Sequence, residues 1–130
     1  MPTTGRFSDS VGRMGNMYRA RYFKDATWEA LRIIEPVVKK HNLTMLETAF
    51  RWLTHHSALN IKDGGNDGVI IGVSSFEQLQ GNLNEFGKGP LPDEVLKALD
   101  EAWLAAKPTT PNYWHLDLVY TYDTRKALFG

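Results

Sequence analysis

The run Val69-Ile70-Ile71-Gly72-Val73 constrains this chain more than any other stretch. Continuous β-branched residues bounded by turn signals are the pattern of a strand buried on both faces of a parallel sheet. Such a strand needs neighbours, because an unpaired run leaves its backbone N–H and C=O groups without partners and its apolar edge invites aggregation. No second run of this kind occurs, and the rest of the pattern is helical. Either the neighbouring strands lie in another polypeptide, or the chain is a fragment.

Around that run the order reads loop, two helices, strand, two helices, tail. Residues 1–24 read as a loop: Gly5, Gly12 and Gly15 fall among small polar residues without a period of 3.6 or 2. The loop ends in the Arg/aromatic cluster Met17 to Phe23. A helix is predicted from Thr27, with Trp28, Leu31, Ile34 and Val38 as its apolar stripe and Pro36 expected to kink it. Thr44-Met45-Leu46-Glu47 fits a capping box opening a second helix. Asn60 to Gly68 is turn-rich, a third helix is predicted from about Ser75 to Phe86, and Leu91-Pro92-Asp93-Glu94 opens a fourth. Residues 108–130 form a tail rich in Pro and Tyr, including Tyr113, Trp114, Tyr120 and Tyr122.

Composition narrows the function classes. The 130 residues suffice for one modest core. Lys+Arg and Asp+Glu number 15 each, so the formal charge of zero gives no electrostatic footprint for nucleic acid or an anionic membrane. Absence of cysteine removes disulfides, thiolate zinc sites and a cysteine nucleophile. Without a membrane-length apolar run or a signal-peptide core, the expected location is cytoplasmic. The helices at 27–41 and 44–57 superficially resemble a helix-turn-helix, but Phe50, Trp52 and Leu53 make the second too apolar to read DNA. Adjacent His55 and His56 point about 100° apart on a helix and cannot share a metal, so a structural or surface role is expected.

The stretch from Ile70 to Asn82 carries the chemistry. A Gly/Ser turn followed by a hydroxyl-rich first helical turn presents free backbone N–H groups and the positive end of a dipole, which can hold a phosphate. Ser74 and Ser75 add hydroxyls, and Gln78 and Asn82, four apart on one face, could meet an adenine edge. Ser75-Phe76-Glu77-Gln78 is equally a plain capping box, and the local pattern leaves both readings open.

Gly72 to Leu83 resembles the last strand-to-helix segment of aldo-keto reductases. Ala49-Phe50-Arg51-Trp52-Leu53-Thr54-His55-His56-Ser57 is similar to that family's Arg-Trp…His-Ser helix. Gly5-Arg6-Phe7 with Met17 to Lys24, together with Gly89-Pro90-Leu91 and Pro111-Asn112-Tyr113, resembles the aflatoxin-aldehyde reductase branch. The resemblance implies an α/β fold: a C-terminal fragment of a (β/α)8 TIM barrel, mostly helical, with one parallel-type strand and a tail from 108. It implies NADPH-dependent reduction of a small aldehyde or ketone, with NADP(H) held by Arg6, Ser74, Ser75, Gln78 and Asn82, and Tyr18 and Arg21 near the substrate mouth. The partners implied are that carbonyl substrate and either a second copy of the chain or a missing N-terminal half-barrel; nucleic acid and membrane are not among them.

Three departures bear on the activity. Gly81 stands where relatives carry Glu or Gln, which removes an adenine contact and weakens the helix. His115 follows Tyr113-Trp114 where relatives end in an Arg that meets acidic substrates. The family's catalytic Asp, Tyr, Lys and His belong to the first half of its barrel, and none can be assigned here. The alternative is therefore a truncated, catalytically inactive paralogue or fragment with at most nucleotide or partner binding.

Overall fold

The computed structural model describes residues 3–61, 64–111 and 123–130. Among the described residues six α-helices follow one another: α1 (Gly12–Tyr22), α2 (Asp25–Lys40), α3 (Met45–His55), α4 (Phe76–Phe86), α5 (Asp93–Ala106) and α6 (Thr124–Phe129). Short 3-10 turns at Asp9–Val11 and Lys107–Thr109 flank α1 and α5.

The packing rests on two partnerships, α2 with α5 and α3 with α4. On α5, Leu91 just ahead of the helix, Val95, Ala98 and Ala102 recur at helical spacing and are all buried. Val38 of α2, Leu91 and Val95 form the centre of the core, with Ile34 and Val37 of α2 packed against it, and Ala30 is buried on α2 as well. The alanines let the two backbones approach, and the branched residues fill the remaining space.

The ends are fixed by local chemistry. After α2, Asn42 adopts φ 54°, and the Leu43 N–H donates to the Val38 carbonyl while the Asn42 N–H donates to that of Lys39. This is a Schellman closure, and Leu43 folds back onto Val38 in the apolar contact that accompanies it. Thr44 caps α3 by accepting from the Glu47 N–H at 3.0 Å. The reciprocal half of the expected capping box is replaced, since the Glu47 carboxylate turns to Arg51 and Lys88. Lys40 and His41, ending α2, both hold Glu94 in the first turn of α5, at 2.6 and 2.8 Å. Pro36 lies within α2, which runs on past it to Lys40.

Two expectations are corrected. First, the fold is not α/β: among the described residues there is no strand, no sheet and no barrel, and helices pack on helices. Residues 69–73 carry no regular structure, and the Ile70 side chain is fully exposed. A strand exists only as a member of a ladder, and the described residues supply no partner for one, so β propensity alone does not form it. Second, residues 12–22 are helical rather than loop. Phe7 packs edge-on against Tyr18 and Tyr22 and stacks on Phe23, which meets Trp28, so aromatic contacts outweigh the glycine content. Arg19 adds a bond to the Phe7 carbonyl (2.7 Å) and an ion pair to Asp9 (2.7 Å).

Gly15, read from the sequence as loop punctuation, is required by close approach: a Cβ there would collide with the Ser8 carbonyl. In the tail, α6 occupies 124–129, while Asn112, Tyr113, Trp114, His115, Tyr120 and Tyr122 lie outside the described residues. No described helix is long and apolar enough to cross a membrane.

Two substitutions test this packing in urea denaturation. Val95→Ala empties a fully buried site and should cost about 2 kcal/mol. Gly15→Ala should also destabilise by at least about 1 kcal/mol, although alanine has the higher helix propensity.

Candidate functional site

The first turn of α4 forms as the sequence suggests. Ser75 is the N-cap, with its Oγ accepting from the Gln78 N–H at 3.2 Å. Ser74, Ser75 and Gln78 are exposed and Asn82 is half-buried, so the four predicted residues on this segment sit together. Two features bear on anion binding there. The Ser74 N–H already donates to the Gln78 side-chain oxygen at 2.8 Å, so the amide expected to face adenine folds back on the backbone. Glu77 also occupies the positive helix end. Its own backbone N–H and then the Ser75 hydroxyl hold its carboxyl below the usual carboxylate range. An incoming phosphate would have to displace or neutralise that charge.

The other predicted residues lie at a different corner. The Arg6 guanidinium stands over the Tyr18 ring, 5.5 Å from its centre. Tyr18 also stacks on Tyr22. Arg21 lies over the Tyr22 ring at 5.2 Å, and its Nε is buried without an acceptor among the described residues. Arg21 and Tyr22 line a small cavity of about 100 Å³ with Lys24, Thr27, Thr109, Thr110 and Pro111. Among the described residues, no hydrogen bond, ion pair or ring contact joins Arg6, Tyr18 or Arg21 to Ser74, Ser75, Gln78 or Asn82.

Sequence reasoning missed the densest polar cluster, which α3 directs at the linker between α4 and α5. Glu47, Arg51 and His55 recur every four residues and therefore share one face. Arg51 donates to the carbonyls of Gly89 and Pro90, each at 2.6 Å, and pairs with Glu47 at 2.8 Å. His55 Nε2 meets the Lys88 carbonyl at 2.7 Å, and His56 Nε2 accepts from the Leu91 N–H at 2.9 Å. Lys88 closes the cluster on Glu47 (3.2 Å) and Glu85 (2.6 Å). The 47/51/55 spacing was the available signal. It was obscured because Glu47 also fits a capping box.

Burial pushes the Glu47 carboxyl up, but the hydrogen bonds and charges of Arg51 and Lys88 outweigh it and hold the carboxyl below its ordinary value. Glu85 first, then Glu47, shift Lys88 up in turn. A separate cleft of about 520 Å³ opens between α3 and α5, lined by Thr48, Ala49, Trp52, Leu53, Leu99, Asp100 and Trp103. None of the predicted site residues lines it.

These contacts fall on the stretches by which the chain resembles other proteins. The profile of the aldo/keto reductase family matches residues 4–104. The chain belongs to the aldo/keto reductase family. An aldo-keto reductase of Pseudocercospora fijiensis is 44% identical over 109 residues, covering 84% of this chain and 36% of the relative. The aldo-keto reductase pigE of Monascus ruber is 37% identical over 101 residues, covering 78% and 29%. Aflatoxin B1 aldehyde reductase member 2 of Rattus norvegicus is 39% identical over 101 residues, covering 75% and 27%. This aldo-keto reductase chain therefore spans about a third of the length of the curated relatives it matches.

The sign of the Glu47 shift sets a pH dependence. A lowered folded pKa stabilises above the ordinary glutamate value of about 4.3, and that contribution is lost as pH falls through the folded value. Glu47→Gln should lower stability at pH 7 by about 1–3 kcal/mol and flatten the acid-side fall in urea midpoint between pH 5 and pH 3.

Proposed function

We propose that this aldo-keto reductase chain is, as a 130-residue polypeptide, catalytically inactive and retains at most a weak grip on the adenosine-phosphate end of NADP(H). The observation that carries the reading is the α4 N-terminus within the family-matched region, where Ser74 and Ser75 stand exposed ahead of a capped first turn. A helix N-terminus with two hydroxyls suits a phosphate, and Asn82 lies one turn beyond Gln78 on the same face. Weakness follows from the geometry at the same place. Gln78 must leave the Ser74 N–H to reach a base, Glu77 opposes an anion, and Gly81 offers no side chain. Arg6 would contribute only after leaving the Tyr18 ring.

The fuller reading is NADPH-dependent reduction of an aldehyde or ketone in the aflatoxin-aldehyde reductase branch, with this chain as the C-terminal part and Tyr18 and Arg21 beside the substrate. It is favoured by the relatives that are aflatoxin B1 aldehyde reductases and by the small cavity at Arg21. It lacks an assignable proton donor in this sequence, so the inactive reading is preferred.

Titration of the purified chain with NADPH, followed by the cofactor's fluorescence, should give weak saturable binding. Ser74→Ala with Asn82→Ala should weaken it about tenfold, equivalent to about 1.4 kcal/mol. An unchanged titration in that double variant would remove the grip assignment. NADPH oxidation with 4-nitrobenzaldehyde should stay at background, and turnover above it would overturn the claim of inactivity.

A further inference from the structure

The two neighbouring histidines at the end of α3 hold the α4–α5 linker through opposite hydrogen-bond roles. The Lys88 carbonyl can only accept, so His55 Nε2 must carry a proton in the 2.7 Å contact. The Leu91 N–H can only donate, so His56 Nε2 must be unprotonated in the 2.9 Å contact. His55 keeps its bond when its ring is charged, because both ring nitrogens then donate. His56 loses its bond outright, because the nitrogen that accepts is the one that gains the proton.

From this geometry we propose that His56 is a proton-operated latch on the α4–α5 linker: its neutral ring fastens the Leu91 amide beside the bonds that Arg51 and His55 make to the same linker, and its protonation releases the Leu91 amide. The place is sensitive because Leu91 belongs to the core centre with Val38 and Val95, immediately before α5. Releasing its amide frees the end of the linker that carries α5.

Among the described residues, the ionisable groups at the latch come from α2, α3, α4, the linker and α5. On α3 they are Glu47, Arg51 and His55, whose ring centre is 6.2 Å from that of His56. Glu85 comes from the end of α4 and Lys88 from the linker, both in the ion-pair cluster, while Asp93 and Glu94 open α5. Glu94 is held by Lys40 and His41 of α2. None of these groups binds the Leu91 N–H, and only His56 changes from acceptor to donor on protonation. The bonded form is the neutral one, so the latch is closed while the ring is unprotonated and opens as falling pH protonates it.

Amide hydrogen exchange at Leu91, read by NMR from pH 8 to pH 5 and corrected for intrinsic exchange, tests the latch on the whole chain. Protection should fall at least about tenfold across that range in the wild type and stay flat in His56→Gln, whose amide oxygen accepts without titrating. His55→Gln should leave the wild-type pH dependence in place. Flat protection in the wild type, or an undiminished fall in His56→Gln, would overturn the proposal. Should His56→Gln not fold, the ring ¹⁵N shifts of wild-type His56 decide: an Nδ1–H tautomer is expected at pH 7.5, and a protonated Nε2 there sinks the latch.

Discussion

The guanidinium of Arg51 is the contact on which the arrangement of the other helices depends. One planar fork reads two successive backbone carbonyls, of Gly89 and Pro90, and a buried carboxylate, Glu47. A lysine also has three donors, but all on one nitrogen, so it could not reach acceptors spread along a planar fork. Because those carbonyls belong to the only stretch between α4 and α5, the fork determines where α5 begins and so where its apolar stripe meets α2. The cluster is costly to desolvate and stays favourable only while every member is paired, so it acts as a positioning device more than as a source of stability.

The helices from α2 to α5 were legible because their apolar residues recur at helical spacing and their caps are local chemistry. Thr44 and Ser75 cap the helices assigned to them, and Leu91 to Ala102 gives the stripe that is buried. What was not legible depended on partners distant in sequence or missing from it. The helix at 12–22 has almost no amphipathic signal, and it forms through Phe7, Tyr18, Phe23 and Trp28, which meet only once the chain has folded back. The run at 69–73 failed for the opposite reason: its composition is that of a strand, but hydrogen-bond partners are not a property of composition. The barrel implied by family resemblance failed with it.

The candidate cofactor segment shows the same division. Position and capping of α4 followed from residues 74–78, yet the competition at its first turn did not. That Gln78 bonds back to Ser74, and that Glu77 sits where an anion would, are consequences of rotamer choice on an exposed turn. Family membership identifies which segment to consider; the side-chain geometry governs what an anion would meet there.

The α2–α5 pairing has a consequence for how freely the chain can vary. By joining residues 30–43 to 91–102, it closes a loop that contains all of α3, the connecting stretch 57–75 and α4. Closure entropy grows only logarithmically with length, about 0.6 kcal/mol for each doubling. The stretch 57–75 lies between two helices that are already paired, and much of it is exposed. Residues added there would lengthen a loop whose ends are held elsewhere, making it the part of the chain where evolution can insert sequence at least thermodynamic penalty.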